Sequence, residues 1–296
     1  MATTTRPPAV AAGVQLGLGL LWLAATMWAA HASILANADD AAVALSSAAG
    51  ALPGVIAAAL FAGACAGFAA VRFVPFAVVG WRPRLLTGLG AGAVIGAIAA
   101  GLILWGYGTN DAVAALAVTV GIAGLLGGAA AVLPDRVLAA GLAATTAVFL
   151  AGLALGVLNP SLNTLFLGSD ADVAARADAS TGLAYLQSAI TGALAGFVAY
   201  LMLRRESRPW PWFLGAGAVP GVLLLVAELL THTGGASLQR TVKAFSPFDE
   251  ALVEFTDFAR LRHALVVLFV GGIVAMIAVG RTLTRPVDHE DEPARS

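Results

Sequence analysis

The sequence predicts an all-α integral membrane protein: eight transmembrane helices forming two parallel tandem four-helix repeats, with both termini inside. Three observations carry that prediction. Charge is scarce, eight apolar runs are long enough to cross a bilayer, and short segments recur in the same order about 125–130 residues apart.

Of 296 residues, 59% are hydrophobic and 11% are charged, with a mean hydropathy of +0.89. Soluble domains carry about 25% charged residues. A chain with so little charge needs the lipid bilayer as its partner over much of its surface. The net charge of −1 provides no basic field, so no nucleic-acid partner is expected. The single cysteine, Cys65, excludes an intrachain disulfide and reads as a small buried hydrophobe. The 34 glycines read as helix-packing positions, because small residues let backbones approach closely in membranes. One lysine against fifteen arginines suggests a GC-rich bacterial genome.

A spanning helix needs about 20 mostly apolar residues. In order, the runs are 10–30, 52–71, 85–105, 112–133, 137–158, 182–203, 210–230 and 264–283. The first is longer than the core of a cleaved leader and is read as a retained span. Asn159-Pro160-Ser161, after the fifth, is read as a turn.

Orientation follows from the connections. With the N-terminus inside, the inner segments hold 11 of the 16 Lys and Arg, and the outer segments hold 5. Acids run the other way, ten outside against six inside, with Glu228 alone within a span. Trp81, Trp210 and Trp212 fall near the inner interface, as an aromatic belt would. The expected location is the plasma membrane, with both termini cytoplasmic.

The repeat rests on four ordered matches. Gly90-Ala-Gly-Ala-Val-Ile-Gly96 pairs with Gly215-Ala-Gly-Ala-Val-Pro-Gly221, at an offset of 125. Gly63-Ala-Cys-Ala-Gly-Phe68 pairs with Gly192-Ala-Leu-Ala-Gly-Phe197, at 129. Asp40-Ala-Ala-Val-Ala44 pairs with Asp170-Ala-Asp-Val-Ala174, and Trp81 with Trp210. Four is an even number of spans, so the halves, 1–135 and 136–285, have parallel topology. Residues 286–296 form a polar tail expected to be disordered.

The halves differ in one connection. A short turn, 106–111, joins the third and fourth spans, whereas a long outer segment, 231–262, joins the seventh and eighth. Phe248, Leu252, Phe255 and Ala259 recur there at helical spacing, which predicts an amphipathic helix lying on the outer surface. This segment and the acidic loop 159–181 are the places where a protein partner is expected.

Ionisable and polar residues within spans are the candidate site. Glu228 lies about 27 Å along its helix from Trp210, near the outer interface, and His232 follows one turn later on the same face. Gln187 and Thr191 stand four apart in the sixth span. Pro220 should kink the seventh span where its counterpart is Ile95. These five residues, Gln187, Thr191, Pro220, Glu228 and His232, are the binding candidates. Packing, interhelical hydrogen bonding and a hydrated helix end are the plainer explanations for each.

No HExxH, CxxC, GxSxG or P-loop motif occurs, and the four histidines do not make a metal-ligand pattern within one helix. No cofactor, metal or enzymatic activity is expected. Transport or permeation of a small neutral or amphipathic solute, or a lipid, at the interface of the repeats fits these features. A non-catalytic subunit of a larger cell-envelope complex is the second reading, and an enzyme acting on lipid-linked substrates is the third.

Overall fold

The computed structural model describes residues 9–73, 80–167, 173–206, 209–236 and 247–281. The polar tail and the middle of segment 231–262 lie outside these residues. The described chain is all-helical: α1 (Ala9–Ala36), α2 (Ala41–Phe73), α3 (Trp81–Tyr107), α4 (Asp111–Ala129), α5 (Asp135–Leu167), α6 (Val173–Leu203), α7 (Pro211–Gly234) and α8 (Pro247–Gly280). All eight are long and apolar enough to cross a membrane. The described chain starts and ends on one side of the bundle, here termed proximal; the sequence predicts the opposite, distal side to be the outer one.

Several helices outrun their predicted spans distally. Helices α2 and α5 each have 33 residues. At 1.5 Å per residue that is about 50 Å, against a hydrocarbon core of about 30 Å. Hydropathy ends where polar residues begin, but alanine-rich chain keeps its helical preference. Asp40 sets the start of α2 by accepting from Val43 N at 3.3 Å. Helix α5 continues through Asn159-Pro160, so the predicted turn there is not formed; a proline removes one N–H donor, and the helix goes on past it. Likewise the predicted surface helix is not a separate element. Helix α8 enters the eighth span directly, because no glycine or proline interrupts residues 248–270.

The connections close tightly where the sequence is short. Gly108 takes φ 83° at the end of α3, a left-handed conformation suited to glycine, and Asn110 caps α4 by accepting from Val113 N at 2.9 Å. On the proximal side a 3₁₀ turn, Ala130–Val132, leads into α5. Arg84 holds that turn, donating from Nε to Ala131 O at 3.1 Å and from Nη2 to Leu133 O at 2.8 Å. Arg84 also pairs with Asp135, which Arg72 Nη1 approaches at 3.5 Å. The proximal arginines thus pin α2, α3 and α5 together.

Helix α2 is the axis of the core. Ile56, Ala58, Ala59, Phe61, Ala62 and Cys65 are buried, and α2 packs on α1, α3, α4, α5 and α7. Glycine permits the closest crossings. A Cβ on Gly63 would overlap the Gly124 carbonyl, and one on Gly67 the Gly128 carbonyl, where α2 meets α4. Gly92 meets Gly124 and Gly96 meets Gly121, where α3 crosses α4. On the other side, Gly196 meets Gly271 where α6 crosses α8, while Gly217 meets Gly271 and Gly221 meets Leu268 where α7 crosses α8. Large apolar side chains face outward, Trp105 at 87% exposure among them, as lipid contact requires.

Candidate functional site

In the distal half of the bundle, α1 and α2 stand apart from α5, α6, α7 and α8 and leave a cavity of about 510 Å³. That volume lies within the range of small-molecule pockets. Its floor is aromatic. Trp22 stacks on Phe149, with centroids 5.1 Å apart and planes within 7°, and Phe61 meets the same ring edge-on at 5.4 Å. Pro53, Gly54 and Gly152 keep the walls thin, and a Cβ on Gly54 or Gly152 would meet nothing within 4 Å.

Polar groups come from α6, α7 and α8. Glu228, 4% exposed, receives a hydrogen bond from Arg260 Nε to Oε2 at 3.2 Å. The other guanidinium arm, Nη2, pairs with Asp257 one turn earlier on α8. His232 bridges the two acids on the distal side, its Nε2 3.4 Å from Glu228 Oε1 and its Nδ1 4.0 Å from Asp257 Oδ2. A carboxylate in such a place needs a partner, and Arg260 is the strongest one available. Arg262 lies over the Tyr185 ring at 4.1 Å, a cation–π contact within the same wall.

On α6, Ser188 Oγ donates to Ala184 O at 2.7 Å and lies 2.8 Å from His263 Nδ1 on α8. The Thr191 hydroxyl turns back to its own helix, bonding Gln187 O and Ser188 O at 3.0 Å each. Two buried polar atoms in the wall make no hydrogen bond: Gln187 Nε2 and Glu228 Oε1, the latter having only the longer approach of His232. Such atoms are rare in folded proteins and call for an explanation.

Of the five candidates, Gln187, Thr191 and Glu228 line one cavity, and His232 sits beside it as a partner of Glu228. Pro220 is buried within α7 and is not part of the wall; α7 runs unbroken from Pro211 to Gly234 across it. Sequence reasoning missed Asp257 and Arg260, which fell in the outer segment 231–262, and His263, at the outer end of the eighth span. The available signal was Thr256, Arg260 and His263 at helical spacing running on into the eighth span. Among the described residues no group of three or more His, Cys, Asp or Glu is placed to hold a metal ion.

The fold and this site define a class: a polytopic α-helical membrane protein with a largely apolar cavity that carries a few polar groups between its helices. No family model matches the chain, and neither a curated protein nor a solved structure matches it.

Proposed function

We propose that the protein binds and passes a small neutral or amphipathic solute, or a lipid, through the cavity between two tandem four-helix repeats in the plasma membrane, with both termini cytoplasmic. The reading is non-enzymatic. One observation carries it: the cavity of about 510 Å³ lies between the halves, and its polar side chains come from several helices.

The glycine crossings support the repeat. Gly92 and Gly96 of α3 pack on α4 as Gly217 and Gly221 of α7 pack on α8. In the same way, Gly67 lies on α4 and Gly196 on α8. Arg72, Arg82, Arg84 and Arg136 on the proximal side favour that side as cytoplasmic.

The test is flux in proteoliposomes. Glycerol, urea and a fluorescent phospholipid are followed with the protein and with Gly152→Trp, which fills the cavity where the glycine meets nothing. At least one probe should move faster than in protein-free liposomes, and Gly152→Trp should return it to background. Rates equal to protein-free liposomes for every probe contradict the reading.

A second reading, a non-catalytic subunit of a larger complex, is favoured by Phe255 and Phe258, which are 62% and 65% exposed on the distal part of α8. Under it, purification in mild detergent retains a stoichiometric protein partner; a lone chain or a homo-oligomer counts against it.

A further inference from the structure

Beside the cavity between the halves lies a second distal cavity within the first half, and only the former carries chemistry. The second cavity, about 570 Å³, lies among α1, α2, α3 and α4 and is lined almost wholly by apolar side chains. The offset of 125 between α3 and α7 places Ile103 opposite Glu228 and Tyr107 opposite His232. The glycine crossings set the register of α4 against α8. Gly121 under Gly96 matches Leu268 under Gly221, and Gly124 under Gly92 matches Gly271 under Gly217, an offset of 147. That register places Val113 opposite Arg260 and Leu116 opposite His263. All four first-half residues line their own cavity. Matching positions are therefore apolar or phenolic in one half, and acid, imidazole, guanidinium and imidazole in the other. The offset of 129 extends the contrast to α6, where Gln187, Ser188 and Thr191 stand at the places of the buried Ala58, Ala59 and Ala62.

Packing alone does not require this chemistry, since the first half packs without it. Nor is it turned toward an ion. Glu228 and Asp257 both pair with Arg260, and the Arg262 guanidinium lies on the Tyr185 ring, so each charged group of the wall already has a partner. What it leaves open is one donor, Gln187 Nε2, and one acceptor, Glu228 Oε1, both buried in one otherwise largely apolar cavity. A ligand satisfying both presents an acceptor and a donor on an uncharged head, with an apolar body against Trp22 and Phe149. Resting on the binding reading above, we propose that the cavity between the halves selects uncharged amphiphiles with a carboxamide-like or hydroxyl head. That head accepts from Gln187 and donates to Glu228.

The experiment uses the full chain in lipid nanodiscs and four probes sharing one hydrocarbon tail: oleamide, methyl oleate, oleate and oleylamine. Oleamide has both donor and acceptor, methyl oleate only an acceptor, and the last two are charged. Oleamide should bind about tenfold more tightly than each of the others, the scale of one or two net hydrogen bonds. Gln187→Met should weaken oleamide and methyl oleate alike, since both present a carbonyl acceptor, and should leave the preference between them, which rests on the N–H given to Glu228, within about twofold of the wild-type value. Equal affinity for oleamide and methyl oleate in the wild-type protein overturns the donor–acceptor assignment, and so does binding of both ligands that Gln187→Met leaves unchanged. Tighter binding of oleate or oleylamine overturns the claim of neutrality. In each case the cavity remains a binding site. Failure of all four probes to bind overturns the binding reading as well. The wild-type series decides the matter even if the variant fails to fold.

Discussion

Glu228 on α7 and Arg260 on α8 are joined by a hydrogen bond of 3.2 Å at the edge of the distal cavity, 32 residues apart in the chain. The pair fixes the distal end of the last helix against α7. Asp257 and His232 extend it into a four-residue network.

Removing one member leaves a buried charge without its counterpart. Arg260→Met, which leaves both Glu228 and Asp257 without their arginine, should destabilise the protein by about 3 kcal/mol, the lower end for buried pairs because Arg260 keeps 27% side-chain exposure. The double variant Glu228→Leu/Arg260→Met should recover part of the loss, the remainder reflecting Asp257 left without its arginine. Melting temperature in detergent, followed by intrinsic fluorescence, checks both. A double variant less stable than Arg260→Met alone would mean that His232, not Arg260, is the partner that holds Glu228.

The glycine crossings separate positions that look alike in sequence. Gly63→Ala forces a Cβ into the Gly124 carbonyl and should cost about 1–3 kcal/mol. Gly101→Ala, with nothing within 4 Å of the added carbon, should leave the melting temperature within about a degree. Equal melting of the two variants would contradict the packing of α2 on α4.

The proximal arginine cluster should affect stability but not recognition. Asp135→Ala removes the carboxylate that Arg72 and Arg84 share and should lower the melting temperature. The preference for oleamide over methyl oleate should be unchanged, since Asp135 lies at the opposite end of the bundle from Gln187. Loss of that preference would tie the cavity to the proximal cluster.

Topology is accessible through the single cysteine. In a Cys65→Ala background, Thr109→Cys between α3 and α4 should react with a membrane-impermeant maleimide in intact cells. Arg205→Cys, exposed after α6, should react only after lysis. The reverse pattern would place both termini outside.

Much of the bundle was legible because the constraints that build it act on local sequence. Apolar runs report the bilayer, and Gly92, Gly96, Gly217 and Gly221 report close helix approach, which no larger residue allows. The distal ends were less legible. Segments 32–51 and 159–181 lose hydropathy but keep alanine-rich helical preference, so spans and helices end at different places. Glu228 and His232 were visible as a pair on one face, and Gln187 and Thr191 as another. Their convergence depends on how α6, α7 and α8 cross, which no single helix records. Arg260 was hidden for the same reason: on its own helix it resembles a surface charge, and only α7 makes it the partner of a buried acid. Pro220 shows the opposite limit, because a residue that marks a pathway in some membrane helices lies here in the packed interior of α7.

The central claim is that the distal cavity between the halves takes up an amphiphile, and Trp22 in its wall gives the most direct measurement. With Trp28, Trp81, Trp105, Trp210 and Trp212 changed to Phe, quenching of Trp22 fluorescence by 9,10-dibromostearamide is titrated in nanodiscs. The account predicts saturable quenching that excess oleamide reverses and that Gly152→Phe, filling the cavity, abolishes. Quenching that rises linearly with bromolipid, unaffected by oleamide or by Gly152→Phe, would show Trp22 sensing bulk lipid only and would contradict it.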